Sequence, residues 1–441
     1  MVAYVSKPAP LGRNFNRILG ASALSNLADG VAKVAVPLVA VRFTESPMAI
    51  AGLGIAMTLP WLVLSLPAGA LADRLDRRSL MLVANSARAA VAGILALALW
   101  ADLGSMPLLY VAALVSGVAE VLYDTASQAI LPQVVSRDDV PRANSRLYGT
   151  EMIANGFVGP PLGGLLVGVA FALALGAPAA LWALAVLVLA TVRGNFRVER
   201  MSHAPSSDRT EVLDSTEPVA VDPETVAGTK LPSLTADIIE GLRFLAGHRV
   251  LRTMAVMTGL ANIGSSMIFA VFVLFAVGPH SPMGLTDQTY GLLLAVTPVG
   301  AVLGSLVATR LADRLGRSAC LWIGLVTFTG FAAIPAITAN PWIVGAVFAA
   351  SGMGIMIWNV VAVSLRQQVT PHHLMGRMNS AYRLLAWGLQ PLGAGLGGLI
   401  GETLGLRPVF VIAAVFSALT AFGMLVVTNQ SIDQAIADVE Q

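Results

Sequence analysis

Charge is what this chain has least of. Asp, Glu, Lys and Arg make up 12% of its 441 residues, against 56% apolar residues. Soluble globular proteins carry about 25% charged residues. So few polar side chains cannot face water on every side, and part of the surface must face lipid. Lysine is scarcest: Lys7, Lys33 and Lys230 are the only three. None closes a GxxxxGK[ST] frame, so no loop of that type cradles a nucleotide phosphate, and ATP hydrolysis is excluded as an energy source. The single cysteine, Cys320, excludes an internal disulfide and a multi-cysteine metal site. It lies in an apolar run and reads as a packed thiol. The five histidines fall in loops or at the ends of apolar runs. No nucleophile–base pair or metal constellation is legible, so neither an enzyme nor a cofactor nor a metal is expected. The net charge is +2 and no basic stripe crosses a polar domain, so nucleic acid is not an expected partner.

Long apolar runs are what the chain has instead. A membrane-spanning helix needs about 20 mostly apolar residues. Twelve runs qualify, near 18–42, 48–71, 80–101, 107–130, 144–171, 174–193, 252–278, 288–311, 318–338, 341–364, 376–401 and 406–428. A barrel would show short alternating segments instead. The first run is too long for a secretory signal and contains Asp29 and Lys33. With the loops numbered alternately and the N-terminus inside, the outside loops hold only Arg42 and Arg407. All other loop Lys and Arg fall inside, which predicts an inner-membrane protein with both termini in the cytoplasm.

The chain also repeats itself. LADRLDR (71–77) returns as LADRLGR (311–317), and LPQVVSRDDV from Leu131 faces LRQQVTPHHL from Leu365. GPPLGGL from Gly159 faces GAGLGGL from Gly393, and Tyr148 faces Tyr382. Corresponding sites in two halves indicate a parallel internal duplication. The predicted organisation is a tail at 1–17, a six-helix bundle at 18–193, a linker at 194–251, a second bundle at 252–428 and a tail at 429–441. Residues 201–234 are rich in Ser, Thr, Pro, Asp and Glu and read as a disordered linker. After them, Ile238, Ile239, Leu242, Phe244 and Leu245 share one side of an amphipathic helix. It lies either on the membrane surface or against the protein's own underside.

Together these features resemble the major facilitator superfamily of secondary transporters, over nearly the whole chain. The superfamily's loop signature stands here as Gly69, Asp73, Arg74, Arg77 and Arg78, with Asp76 where a glycine is usual. The second half carries Asp313, Arg314, Gly316 and Arg317, with Thr309 in place of the leading glycine. LADGVAKVAVPLVAVRFTESPMAIA, YDTASQAILPQVV and EGLRFLAGHRVLR resemble the branch that includes the enterobactin exporter and the macrolide efflux pumps. Gly159, Pro160, Gly163 and Gly164 match the end of the drug-antiporter signature of the fifth helix, while Arg146 and Asn155 stand where earlier glycines would be. The resemblance implies an all-α fold of twelve helices, export of a small amphiphilic compound against inward protons, and a monomer. It also implies an inner latch, in which Asp73 meets the start of the eleventh helix and Arg77 pairs with Asp124.

Charges inside the apolar runs point to the working residues, because a charge at a helix centre costs about 2.5–3.5 kcal/mol on insertion scales. Asp29, Lys33, Arg88, Glu120 and Glu151 lie deep in the first half. The second half has few such groups, so the first half is expected to carry the proton chemistry. Asp29 and Lys33 share a helix face and can pair, and Arg88 is placed to bridge acids. Asn26, Trp61, Asn155 and Asn262 fall at mid-span depth and are candidate substrate contacts. So do Phe269, Asn359, Trp387 and Gln390. Two other readings stay open, uptake of a small solute and a transporter-like sensor or membrane-partner protein.

Overall fold

A computed structural model describes residues 11–194, 196, 234–278, 280–371 and 374–440. Most of the predicted linker at 201–234, and His203, His372 and His373, lie outside the described residues. So do the side chains of Asp73, Arg383 and Trp387. Twelve segments are long and apolar enough to cross a membrane, and no strand occurs among the described residues.

The first half runs α1 (Arg13–Ala40), α2 (Pro47–Arg74), α3 (Arg77–Trp100), α4 (Met106–Val134), α5 (Val140–Glu151), α6 (Gly159–Val169) and α7 (Phe171–Ala190). A π-helical stretch, Met152–Val158, joins α5 to α6 so that they cross as one span. The amphipathic α8 (Leu234–Gly247) leads into the second half. That half runs α9 (Arg249–Ala276), α10 (Asp287–Leu315), α11 (Arg317–Ile337), α12 (Pro341–Val369), α13 (Met375–Trp387), α14 (Gln390–Leu404) and α15 (Leu406–Leu419). The chain closes with α16 (Asn429–Glu440). Its first helix starts at Arg13, ahead of the predicted residue 18, because Arg17 donates to the Thr191 carbonyl and Asn14 to that of Arg193. These polar side chains satisfy the exposed end of α7, so the helix extends past the apolar run.

Each copy of the charged heptapeptide ties the start of the third helix to the exit of the sixth in its own half. Asp76 caps α3, accepting from the Ser79 N–H at 2.7 Å, and its other oxygen accepts from the Phe196 N–H at 2.9 Å. Burial alone would raise this carboxyl. The hydrogen bonds from Ser79 and Phe196, with Arg78 nearby, instead hold it below the usual carboxylate range. Arg78 donates to the carbonyls of Leu189 and Ala190. In the second half Gly316 occupies the Asp76 position with φ 84°, a conformation glycine adopts at little cost. The cap comes instead from α16, where Asn429 accepts from the Ser318 N–H at 2.9 Å.

The amphipathic α8 packs on the protein's own underside. Gly241 backs onto the main chain of Arg377 in α13, Glu240 pairs with Arg377, and Leu245 is buried in the second-half core. Of its apolar side, Ile239 remains exposed. The predicted tail at 429–441 is largely the helix α16, anchored through buried Ile432 and Ala435.

The halves meet through α2 against α14 and α6 against α10. The direct contacts cluster where α1 ends and α2 begins, on the face away from the chain termini. There Arg42 pairs with Asp287 at 3.2 Å. Glu402 accepts from the Ser46 hydroxyl at 2.7 Å and from the Met48 N–H at 3.3 Å. Gly164 lies against Gly291, and Gly398 against Ala51. At the opposite end of α2, Leu71 and Leu75 are exposed, and among the described residues no atom stands within 4 Å of where a Cβ on Gly69 would lie. Among the described residues, the hydrogen bonds and ion pairs that join the halves all lie on the far face, and none lies on the face that carries the termini.

Candidate functional site

A cavity of about 790 Å³ lies between the halves. It reaches from Lys33 and Gly54 to Gln128, Leu131 and Asn144 near the terminus-side ends of α4 and α5. Among the described residues its polar wall comes almost entirely from α1, α2, α4 and the α5–π segment, with Gln390 as the second half's one contribution.

Arg88 lies behind this wall, outside the lining itself. It is 1% exposed, and its Nη1 lies 3.2 Å from Asp29 Oδ1 while its Nη2 lies 3.7 Å from Glu120 Oε2. The guanidinium also sits over the Trp182 ring, 5.5 Å from its centroid, where a cation is attracted by the aromatic face. A buried arginine needs such partners, since an uncompensated charge in the interior is costly. Behind it, buried Ser25 donates to Asn85 at 3.2 Å.

The predicted Asp29–Lys33 pair does not form. Arg88 reaches Asp29 from the bundle interior, whereas Lys33 is exposed to the cavity and donates to Asn155 Oδ1 at 3.0 Å. That bond depends on a close approach of α1 to the π stretch. A Cβ on Gly30 would stand 2.5 Å from the Asn155 carbonyl oxygen, so only glycine fits. Glu151 ends α5 just before the π stretch and opens onto the cavity. Single-turn π segments recur at functional sites.

The predicted Arg77–Asp124 pair is absent too. Arg77 donates to the carbonyls of Ala72 and Ala129. Asp124 lies five residues before Ala129 on α4, about 7.5 Å deeper at 1.5 Å per residue, and lines the cavity with Glu120. Arg74 is exposed in the last turn of α2, as are Asp313 and Arg314 on α10. Arg317 lines a cleft with Gln368 and Asp433.

Of the substrate candidates, Asn26, Trp61, Asn155 and Gln390 line the cavity. The others with described side chains do not. Asn262 is spent on the Ala386 carbonyl at 2.7 Å, joining α9 to α13. Phe269 packs against Phe331 of α11, and Asn359 is exposed on α12 outside the lining. Mid-span depth does not say which way a side chain turns, and these three turn elsewhere. Residues that depth alone did not single out are Tyr123, Tyr148 and Met57, all on the wall. Tyr123 adjoins Asp124 in sequence, the one signal that could have marked it. Among the described residues no group of three or more His, Cys, Asp or Glu could hold a metal ion.

Twelve helices long and apolar enough to span a membrane, around a central polar cavity and with the halves joined at the far face, define a polytopic transporter-like protein. The solved nucleoside transporter NupG has the same fold, with a TM-score of 0.70 at 13% identity over 94% of this chain and 98% of that one. The chain matches the family described as Transmembrane secretion effector over residues 5–209 and 221–440. It belongs to that family of major facilitator transporters. Among its relatives, the Multidrug efflux pump Tap of Mycolicibacterium fortuitum is 27% identical over 415 residues, covering 89% of this chain and 90% of that protein. Enterobactin exporter EntS of Shigella boydii serotype 18 is 27% identical over 422 residues, covering 94% and 89%.

Proposed function

We propose that this transporter exports a small amphiphilic compound by alternating access, driven by inward proton flow, as a monomer in the inner membrane with both termini in the cytoplasm. Residues 18–193 and 252–428 act as the two rocking bundles, and the open face of the cavity is the cytoplasmic one. The observation that carries the reading is Arg88, buried behind the cavity wall between the lining acids Asp29 and Glu120. A proton arriving on either acid competes with Arg88 for it. Pairing and protonation therefore exclude one another and favour different arrangements of the bundle, which is how a ligand shifts a two-state equilibrium. Glu151 and Asp124, on the same wall, extend the set of acids a proton can visit. One proton crossing 100 mV supplies about 2.3 kcal/mol, enough for roughly fifty-fold accumulation. The Tap and EntS relatives, named for drug and siderophore export, support the outward direction.

Gating falls to the loop signature around Gly69, Asp73, Arg74, Arg77 and Arg78 and its copy at Asp313, Arg314 and Arg317, whose ends must meet when the open face closes. Proteoliposomes with an imposed pH gradient and a panel of drug-like and siderophore-like compounds test the reading. Substrate-dependent proton release in the wild type, lost in Asp29→Asn, is the expected result. Export that continues at the wild-type rate in Asp29→Asn, or without a gradient, refutes proton coupling through this site.

A further inference from the structure

Two rungs of side chains join α1 to α3 inside the first half. One is the Asp29–Arg88 pair. The other is the hydrogen bond that Ser25 donates to Asn85 at 3.2 Å. Ser25 lies four residues before Asp29, and Asn85 three before Arg88. Each residue of the second rung therefore shares a helix face with its counterpart in the first, one turn away. Among the described residues no other hydrogen bond or ion pair links the two helices. Each of them packs mainly on α7, and these four side chains tie one directly to the other.

Stability does not account for the second rung. Ser25 and Asn85 are both fully buried, and among the described residues Asn85 Nδ2 has no hydrogen-bond partner. A buried amide with an unmade hydrogen bond is a net cost, and two apolar side chains would fill the same space without it. What a single buried asparagine does supply is register: it fixes one helix on another while lowering stability. Here register matters one turn along. Arg88 Nε donates to the Ser116 carbonyl of α4 at 3.4 Å, and the guanidinium stands over the Trp182 ring of α7. Glu120 also reaches it from α4. Asp29 is the contact that comes from α1. A slip of α1 by one residue, about 1.5 Å along the axis, would weaken that pair and leave the other contacts in place.

We infer that Asn85 is a positioning residue, which with Ser25 sets the register of α3 on α1 and so places Arg88 on Asp29. Asn85 lies outside the cavity lining and acts only through Arg88. The inference deepens the proton reading of the Arg88 pair and rests on it for its purpose.

The test makes the rung apolar, with Ser25→Ala and Asn85→Leu together, in purified protein in detergent. Both polar partners go at once, so this variant should melt at or above the wild-type temperature. The strength of the Arg88–Asp29 pair is read, with and without the rung, as the non-additivity of Arg88→Met and Asp29→Asn in melting temperature. Without the rung it should fall to about half or less. Exchanging the two residues, Ser25→Asn with Asn85→Ser, keeps a hydrogen bond between the helices and should restore it. An unchanged non-additivity, an apolar rung that melts well below the wild type, or an exchanged pair that restores nothing overturns the inference. The melts need no gradient and no substrate. Reduced coupling beside an absence of proton release in proteoliposomes would therefore retire the transport reading and leave Asn85 its positioning role. Unchanged coupling beside intact proton release would do the reverse.

Discussion

Arg88 shows how much one side chain can decide. Both acids beside it were visible as charges in apolar runs, and so was the arginine, but the sequence suggested Lys33 as the partner of Asp29 because the two share a helix face. The arginine wins because α3 delivers it to the bundle interior, where its charge must be matched. Removing it should therefore be expensive. Arg88→Met is expected to destabilise the protein by about 3–5 kcal/mol, the usual cost of stranding a buried partner, read as a lower melting temperature in detergent. Adding Asp29→Asn and Glu120→Gln should restore most of the loss, because no unpaired charge is then left. Failure of the triple variant to recover would mean that Arg88 packs rather than pairs.

At the scale of elements, the duplicated heptapeptide was legible as a repeat, and its work was not. Each copy anchors the third helix to the sixth helix's exit, but with different chemistry. The first half uses a side-chain cap from Asp76, and the second uses a glycine turn with a cap lent by α16. Asp76→Ala should cost about 1 kcal/mol, as lost N-caps do. The folded state holds Asp76 below its ordinary value. Its contribution is present above the unfolded value of about 3.9 and is lost as pH falls through the lower folded value. Asp76→Asn should therefore flatten the acid side of the stability curve, and it should lower neutral stability as well, because an amide cannot accept both the Ser79 and the Phe196 N–H. Gly316→Ala should cost about 1–2 kcal/mol through its left-handed backbone. Thermal melts across pH check all three.

At the scale of the whole molecule, the seam on the far face holds one conformation. Arg42–Asp287 and the Glu402 carboxylate, seated on the first turn of α2, join the halves there. Combined Arg42→Ala and Glu402→Ala should loosen the seam and populate the state open on the opposite face. The shift can be read as a shorter distance between spin labels at Leu75→Cys and Leu315→Cys, both exposed on the face that carries the termini. Cys320 is buried and should not compete for label. An unchanged distance distribution would show that helix packing alone holds the seam. Labelling the same two cysteines in intact cells also tests the proposed cytoplasmic placement, since a membrane-impermeant thiol reagent should fail to reach either.

The number of spans, the all-helical class and the concentration of buried charge in one half followed from the sequence alone. Each is a property of a single segment measured against lipid, because length, hydropathy and charge act locally. Which acid meets which base, whether Asn262 faces the cavity or a neighbouring carbonyl, and at which face the halves join depend on how helices distant in the chain rotate and approach. Such choices are made by contacts such as Gly30 against Asn155, and no segment carries them by itself.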